Sequence, residues 1–201
     1  SAYVLMLGAP REQISQAIAF DQLIFARQKY ALIDELKNLD IQDRVSPVIE
    51  ALGGKGRYGD LSVEHPDSDD ARQLSGLAKA FGNALRPALR KRGLLTDKPN
   101  EKLPQLHVIF ISNNHVLLAS SVAGDRSPWP MGIARLRQDT RAPSRSAMKL
   151  DEALLCLLTP SERLNLIHVD MKAADLGASP GGWSWVLAKY GLRVSAIDNG
   201  P

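Results

Sequence analysis

Residues 171–198 constrain the fold most, because an apolar run ends there in Asp175 and is followed by Leu176-Gly177-Ala178-Ser179-Pro180-Gly181-Gly182-Trp183. Three glycines and a proline stand where a helix must begin. Glycine removes the Cβ that would hold a ligand away from the main chain, and a helix opening near Pro180 points unpaired N–H groups at whatever the loop contacts. A second β-rich stretch, Arg193 to Ile197, closes on Asp198. The order strand, glycine loop, helix, strand predicts two parallel strands joined by a right-handed crossover. In such a unit, a carboxylate at the end of the second strand can accept hydrogen bonds from ribose hydroxyls.

Spacing then excludes two common ligands. A dinucleotide loop needs G-x-G-x-x-G, whereas this one reads G-x-x-x-G-G, and a phosphate-cradling loop needs Gly-Lys-Ser/Thr where Gly182 is followed by Trp183. Glycine-rich turns also arise for close packing alone, and that reading stays open on the loop by itself. The nine residues, followed by Trp183-Ser184-Trp185, resemble the cofactor loop of FtsJ-like Rossmann methyltransferases. The resemblance implies S-adenosyl-L-methionine as cofactor, with Gly177, Ser179, Pro180, Gly181, Gly182 and Asp198 around it.

Upstream, Ser144-Arg145-Ser146-Ala147-Met148-Lys149-Leu150 looks like the S-R-S-x-x-K-L element before the first strand of the ribose methyltransferases. Carried over residue by residue, Lys149 is the first lysine of a Lys-Asp-Lys-Glu tetrad around an RNA 2′-hydroxyl, and Ser146 is a neighbour of the cofactor. Taken alone, Lys149 reads as a solvated helix residue, as most lysines do; beside the downstream loop the functional reading takes precedence. The likeness widens with Phe25-Ala26-Arg27-Gln28, Ser127-Pro128-Trp129-Pro130-Met131-Gly132-Ile133 and Asp198-Asn199-Gly200-Pro201. Together these resemble bacterial 23S rRNA cytidine 2′-O-ribose methyltransferases of the RlmM type.

The resemblance implies an α+β THUMP/ferredoxin-like N-terminal part followed by the start of an α/β Rossmann-fold methyltransferase domain. Residues 1–38 would be a remnant of a ferredoxin-like module, 39–124 a THUMP RNA-binding domain, 125–143 a linker, and 144–201 the N-terminal portion of the catalytic domain. It implies 2′-O-methylation of a cytidine in 23S rRNA, with Lys149 orienting the ribose. The base role falls to the tetrad's second lysine, expected beyond Pro201 with the aspartate and glutamate. The segment is therefore expected to be truncated at both ends, and inactive and poorly soluble on its own. Two alternatives remain: methylation of another RNA or of a base, and a non-catalytic RNA-binding protein with a vestigial methyltransferase fold.

With 201 residues and 44% hydrophobic content the chain can bury ordinary cores. Its apolar runs are too short for a membrane span, and its first residues do not read as a secretory signal. One cysteine, Cys156, allows no internal disulfide and is read as inert core of a cytoplasmic, monomeric protein. His65, His107, His115 and His168 share no metal-ligand spacing and are read as surface or satisfied structural residues. A net charge of +3 is only mildly basic, so placement carries the nucleic-acid argument. Arg86, Arg90, Lys91 and Arg92 form one cluster; Arg135, Arg137, Arg141, Arg145 and Lys149 form another. Each has even odds between touching phosphate and a solvated face. Of these, Arg86, Arg90, Lys91, Arg92 and Arg145 are the candidate RNA contacts.

Along the chain, 3–7 reads as a strand, 12–19 as a helix, and 23–36 as a stretch without a firm assignment. A helix opens at Ser46-Pro47 and runs to Leu52; a strand covers 60–64; Asp67 or Ser68 caps a long helix with a stripe of Leu74, Leu77, Ala78, Phe81, Leu85 and Leu89. Pro87 is expected to end or kink that helix. Residues 106–111 and 115–122 read as a hairpin across Ser112-Asn113-Asn114. A helix from Ser146 to Leu158 shows an apolar face of Leu150, Leu154, Leu157 and Leu158. Thr159-Pro160-Ser161-Glu162 signals a fresh helix start.

Overall fold

The structure is a computed structural model that describes residues 17–200, so the strand expected at 3–7 and residues 12–16 of the helix expected at 12–19 lie outside the described residues. The chain divides into two compact units, residues 1–133 and 134–201.

In the first unit β1 (Ala31–Leu36), β4 (His115–Ser121), β3 (Gln105–Ser112) and β2 (Asp60–Glu64) form one sheet in that order. β3 and β4 are the expected hairpin, antiparallel across Asn113-Asn114, and β2 joins β3 in parallel register from Asp60↔Gln105 to Glu64↔Ile109. Two helices, α1 (Val45–Leu52) and α2 (Leu74–Lys91), cover one face. Alternation along the strands sends Leu61, Leu106, Val108, Phe110, Val116 and Leu118 to that face, against Val48 and Leu52 of α1 and the α2 stripe. Phe81 meets Phe110 edge to face at 5.2 Å.

Three expectations need correction here. α1 begins at Val45, and its cap is Asp43, whose Oδ1 accepts from the N–H groups of Val45 and Ser46. α2 begins at Leu74 after a series of turns rather than at a cap from Asp67 or Ser68; Asp67 pairs instead with Arg27 at 3.1 Å. Pro87 does not end α2, which continues to Lys91. Leu85 and Leu89 are fully buried on either side of it. Burying two such side chains contributes ~1.5–3 kcal/mol each, enough to offset the ~3 kcal/mol cost of an internal proline.

The segment before β1 is fastened to residues after β4. Asp125 accepts from Lys29 Nζ at 2.6 Å and from the Phe20 N–H at 2.8 Å. Gln28 accepts from the Ser127 N–H and donates to its carbonyl. A Cβ on Gly132 would overlap the Arg27 carbonyl. The sequence motifs around Arg27-Gln28 and Ser127-Gly132 thus meet as one knot.

In the second unit, α3 (Ser146–Leu157), α4 (Pro160–Leu166), β5 (Lys172–Leu176), α5 (Gly182–Lys189) and β6 (Arg193–Ile197) follow in order, with β5 and β6 parallel from Lys172↔Arg193 to Leu176↔Ile197. Tyr190 donates to Asp151 Oδ1 at 3.0 Å, tying the end of α5 to α3. At α4 the capping box is complete: Thr159 Oγ1 accepts from the Glu162 N–H, and Glu162 accepts from the Thr159 N–H at 2.9 Å. Thr159→Ala is expected to cost about 1 kcal/mol, visible as a lowered midpoint in a thermal melt of the intact protein.

The apolar face expected on α3 is not packed as a stripe. Ala147 is its only buried residue, and Leu157 is 79% exposed. Cys156 is exposed rather than core, because it lies on that uncovered side. Partial desolvation of its thiol and the negative charge of Glu152 still push its pKa up, so it is a poor nucleophile. Two strands and three helices offer too little area to cover Leu157, Leu164, Leu176 and Ile197, all more than half exposed.

Candidate functional site

β5 delivers Asp175 and β6 delivers Asp198 to neighbouring strand ends, and the glycine loop runs between them. Asp175 is buried, and its Oδ2 accepts from Ser184 twice, from N–H at 2.9 Å and Oγ at 2.7 Å. It anchors the first turn of α5. The loop is held from the other side by β6, whose Ile197 carbonyl accepts from the N–H groups of Gly177 and Ala178. Asp198 Oδ2 accepts from the Ser179 N–H at 2.8 Å and Oδ1 from the Gly200 N–H at 2.8 Å. These bonds, that from Ser179 first, hold the Asp198 carboxyl below the ordinary carboxylate range. A carboxylate has about four lone-pair sites, so Asp198 keeps acceptor capacity for a ligand.

α5 starts at Gly182, one residue later than the helix over 181–190 that the sequence suggested, with Gly181 as its left-handed N-cap. The N–H groups of its first turn have no intrahelical acceptor. Gly182 is buried against the S-R-S element. A Cβ there would collide with Ser146 Oγ and Ser144 Oγ and lie 3.0 Å from the Ala147 N–H nitrogen. The two serine hydroxyls are bonded to each other at 2.6 Å. Thus the two motifs, over thirty residues apart in sequence, are in direct contact.

Their junction is a cleft of about 430 Å³, within the usual range for small-molecule sites. Ser146, Lys149, Gly177, Ser179, Pro180 and Gly182 line it. Gly181 and Asp198 do not line it; Gly181 caps α5, and Asp198 holds the Ser179 N–H of the loop. Ser144, Asp175 and Trp183 also line the cleft, although sequence reasoning did not choose them as site residues. The doublet of serines around Arg145 was the available signal for Ser144. Lys149 is exposed, and no hydrogen bond or ion pair engages it among the described residues. Arg145, one turn earlier, is exposed as well.

The other basic cluster divides. Arg86 donates to Asp60 Oδ1 and the Leu61 carbonyl, both at 2.7 Å, and Arg90 to the carbonyls of Thr96 and Asp97. Both clip α2 to neighbouring backbone. Lys91 and Arg92, at the end of α2, are exposed. Arg141 is engaged by Asp139 through two side-chain bonds, which hold the Asp139 carboxyl far below its usual range. Among the described residues no group of acidic, histidine and cysteine side chains is arranged to hold a metal ion, and no helix is long and apolar enough to cross a membrane.

Residues 43–122 match the family described as Ribosomal RNA large subunit methyltransferase M, N-terminal, and residues 142–201 match FtsJ-like methyltransferase. The chain is 56% identical over 99% of its length to Ribosomal RNA large subunit methyltransferase M of Xanthomonas campestris pv. campestris, and equally to that of Xanthomonas axonopodis pv. citri. The protein of the same name in Xanthomonas oryzae pv. oryzae is 55% identical. The chain belongs to the ribosomal RNA large subunit methyltransferase M family. It spans 57% of the length of these relatives. As a member of that family it combines a mixed α/β N-terminal domain with the start of an FtsJ-like methyltransferase domain.

Proposed function

We propose that this chain is part of an S-adenosyl-L-methionine-dependent enzyme that methylates the ribose 2′-hydroxyl of a cytidine in 23S rRNA, acting as a cytoplasmic monomer. The observation that carries this is the single cleft in which Lys149, Ser146 and the glycine loop come together. Residues 39–124 act as the THUMP RNA-binding module, 125–143 as the linker, and 144–201 as the first part of a Rossmann-fold catalytic domain.

The residues present fit the cofactor. A loop whose backbone approaches without side chains suits a flat nucleoside, Asp198 has acceptor sites for its ribose, and Asp175 places negative charge beside a cationic donor. When bound, S-adenosyl-L-methionine supplies an electrophilic methyl group on a sulfonium. This chain's own task is alignment, which supplies much of the rate in a displacement of this kind. The contact between Gly182 and the serine pair fixes α3 against the loop, so that the Lys149 ammonium stands at the cleft. There it donates to the 2′-oxygen of the acceptor ribose and orients it, while Arg145 meets a flanking phosphate.

In the intact gene product, Lys149→Ala is expected to lower methyl transfer to 23S rRNA about 10²-fold, the order expected for a misplaced reactant, with donor affinity retained. Radiolabelled transfer and titration calorimetry measure the two separately. Mapping 2′-O-methyl groups in rRNA from cells with and without the gene tests the whole reading; identical maps would end it.

A further inference from the structure

The first unit carries a second cavity, of about 480 Å³, that none of the roles assigned above uses. It lies at the end of the sheet where the pairing of β1 with β4 slips between Leu32 and Asp34, leaving a gap at the sheet's edge. Leu32, Ile33 and Pro104 form its apolar lining. Its rim is the loop from α1 to β2, where Lys55, Gly56 and Arg57 face the opening. Lys55 reaches Asp34 at 3.4 Å in an exposed pair. Arg57 is exposed, and among the described residues no hydrogen bond or ion pair engages it.

An apolar floor under a rim with an uncommitted guanidinium suits a flat, weakly polar group attached to an anion. We propose that this cavity takes one unstacked nucleotide of single-stranded RNA, its base on Leu32, Ile33 and Pro104 and its phosphate on Arg57. The argument rests on the RNA-directed reading above and adds a second contact point on the N-terminal unit. Three considerations favour RNA. A duplex keeps its bases stacked and paired, whereas single strands splay their bases onto apolar surfaces. Arg57 offers the planar fork that phosphate oxygens match. Arg86 and Arg90, which sequence reasoning chose as RNA contacts, are already occupied by protein acceptors.

Fluorescence anisotropy of the intact gene product with a labelled single-stranded oligocytidine, over a range of salt, tests the proposal. Arg57→Ala removes an exposed side chain without a protein partner and should fold normally; it is expected to weaken binding about five- to tenfold. It should also reduce the slope of log affinity against log salt by about 0.7, the value for one phosphate contact on a single strand. Leu32→Glu, which sets a carboxylate at the floor, should weaken binding further, and an RNA duplex of equal length should compete poorly. An unchanged affinity and slope for Arg57→Ala, in protein whose wild type still methylates 23S rRNA, would overturn this site and leave the proposed function standing. Absence of both RNA binding and methylation in the wild type would remove the function as well. Competition by an acidic peptide as effective as RNA, or binding of free cytidine monophosphate as tight as that of the oligonucleotide, would also overturn the proposal.

Discussion

Glu64→Ala is expected to destabilise the N-terminal unit by about 3–5 kcal/mol, because three hydrogen-bond donors lose a buried, ionised acceptor at ~1–3 kcal/mol each. Glu64 and His107 are 3% and 1% exposed, on the sheet face opposite the helices. Glu64 Oε1 accepts from Ser62 Oγ at 2.7 Å and from His107 Nδ1 at 3.1 Å; Oε2 accepts from Tyr30 Oη at 2.6 Å. Since a carboxylate only accepts, His107 carries its proton on Nδ1 toward Glu64, and Nε2 is left to Ser121 Oγ at 2.7 Å. Removing the carboxylate takes an acceptor from three donors at once, the buried His107 ring and the half-buried Tyr30 and Ser62 hydroxyls. Burial alone pushes the Glu64 carboxyl pKa up, but His107, Tyr30 and Ser62 outweigh it and bring the net value below the usual 4.5. Because the folded-state value is the lower one, stabilisation by Glu64 is complete above about pH 4.5 and is lost as pH falls through the folded value. Urea melts of the intact protein at neutral and acid pH, with hydrogen exchange at the β3 amides to localise the effect, check this. The wild type should lose stability on acidification and Glu64→Ala should lose less. Equal midpoints for the two proteins at pH 7 would refute it. The half-exposed Arg86–Asp60 pair, at 2.7 Å, should by contrast contribute only ~1 kcal/mol.

What the sequence revealed and what it hid divide along a physical line. β2 and β6 fall where the sequence placed them, and so do the β3–β4 hairpin, the α2 stripe and the capping box at Thr159, because each is signalled by residues within one or two turns of itself. β1 was not legible: Ala-Leu-Ile-Asp-Glu-Leu has neither clean alternation nor helical spacing, and it becomes a strand only by pairing with β4, some 85 residues away (Ala31↔Ser120 being 89 apart, Leu36↔Val116 80). The acid-histidine-serine cluster was equally hidden, since Glu64, His107 and Ser121 meet only through strand register. The reading of His107 as a satisfied structural residue holds, yet nothing local named its partners. The Arg86 to Arg92 cluster shows the opposite error. Charge density was visible, but not the carbonyls of Leu61, Thr96 and Asp97 that occupy two of its members. In the cleft, residue types pointed to the loop that lines it, while the reason for its second consecutive glycine lay in a segment 36 residues upstream (182 − 146).

Gly182→Ala should therefore do more harm than any other single methyl group added to the loop. Its Cβ would enter space held by Ser144 Oγ and Ser146 Oγ and would lie 3.0 Å from the backbone nitrogen of Ala147. The hydroxyls can rotate only by breaking their mutual 2.6 Å bond, and the nitrogen belongs to α3 and cannot move without it. Overpacking of this kind costs typically 1–3 kcal/mol, and we expect the upper end, about 3 kcal/mol, because the neighbour is backbone. The functional loss should exceed the loss of stability. Relief of the clash pushes α3 away from the glycine loop, which displaces Lys149 and widens the cleft, and a 1 Å misplacement can cost about 10²-fold in rate. Donor binding, read by calorimetry, should fall with it. Removing both hydroxyls in the same chain, as Ser144→Ala/Ser146→Ala/Gly182→Ala, should restore most of the melting temperature, with a coupling energy of the size seen for residues in contact. Gly177→Ala provides the contrast, since a Cβ there meets nothing within 4 Å and its cost is limited to holding a left-handed backbone conformation. If Gly182→Ala melts and binds donor like the wild type, the packing of the serine element against the loop is not what positions the cleft.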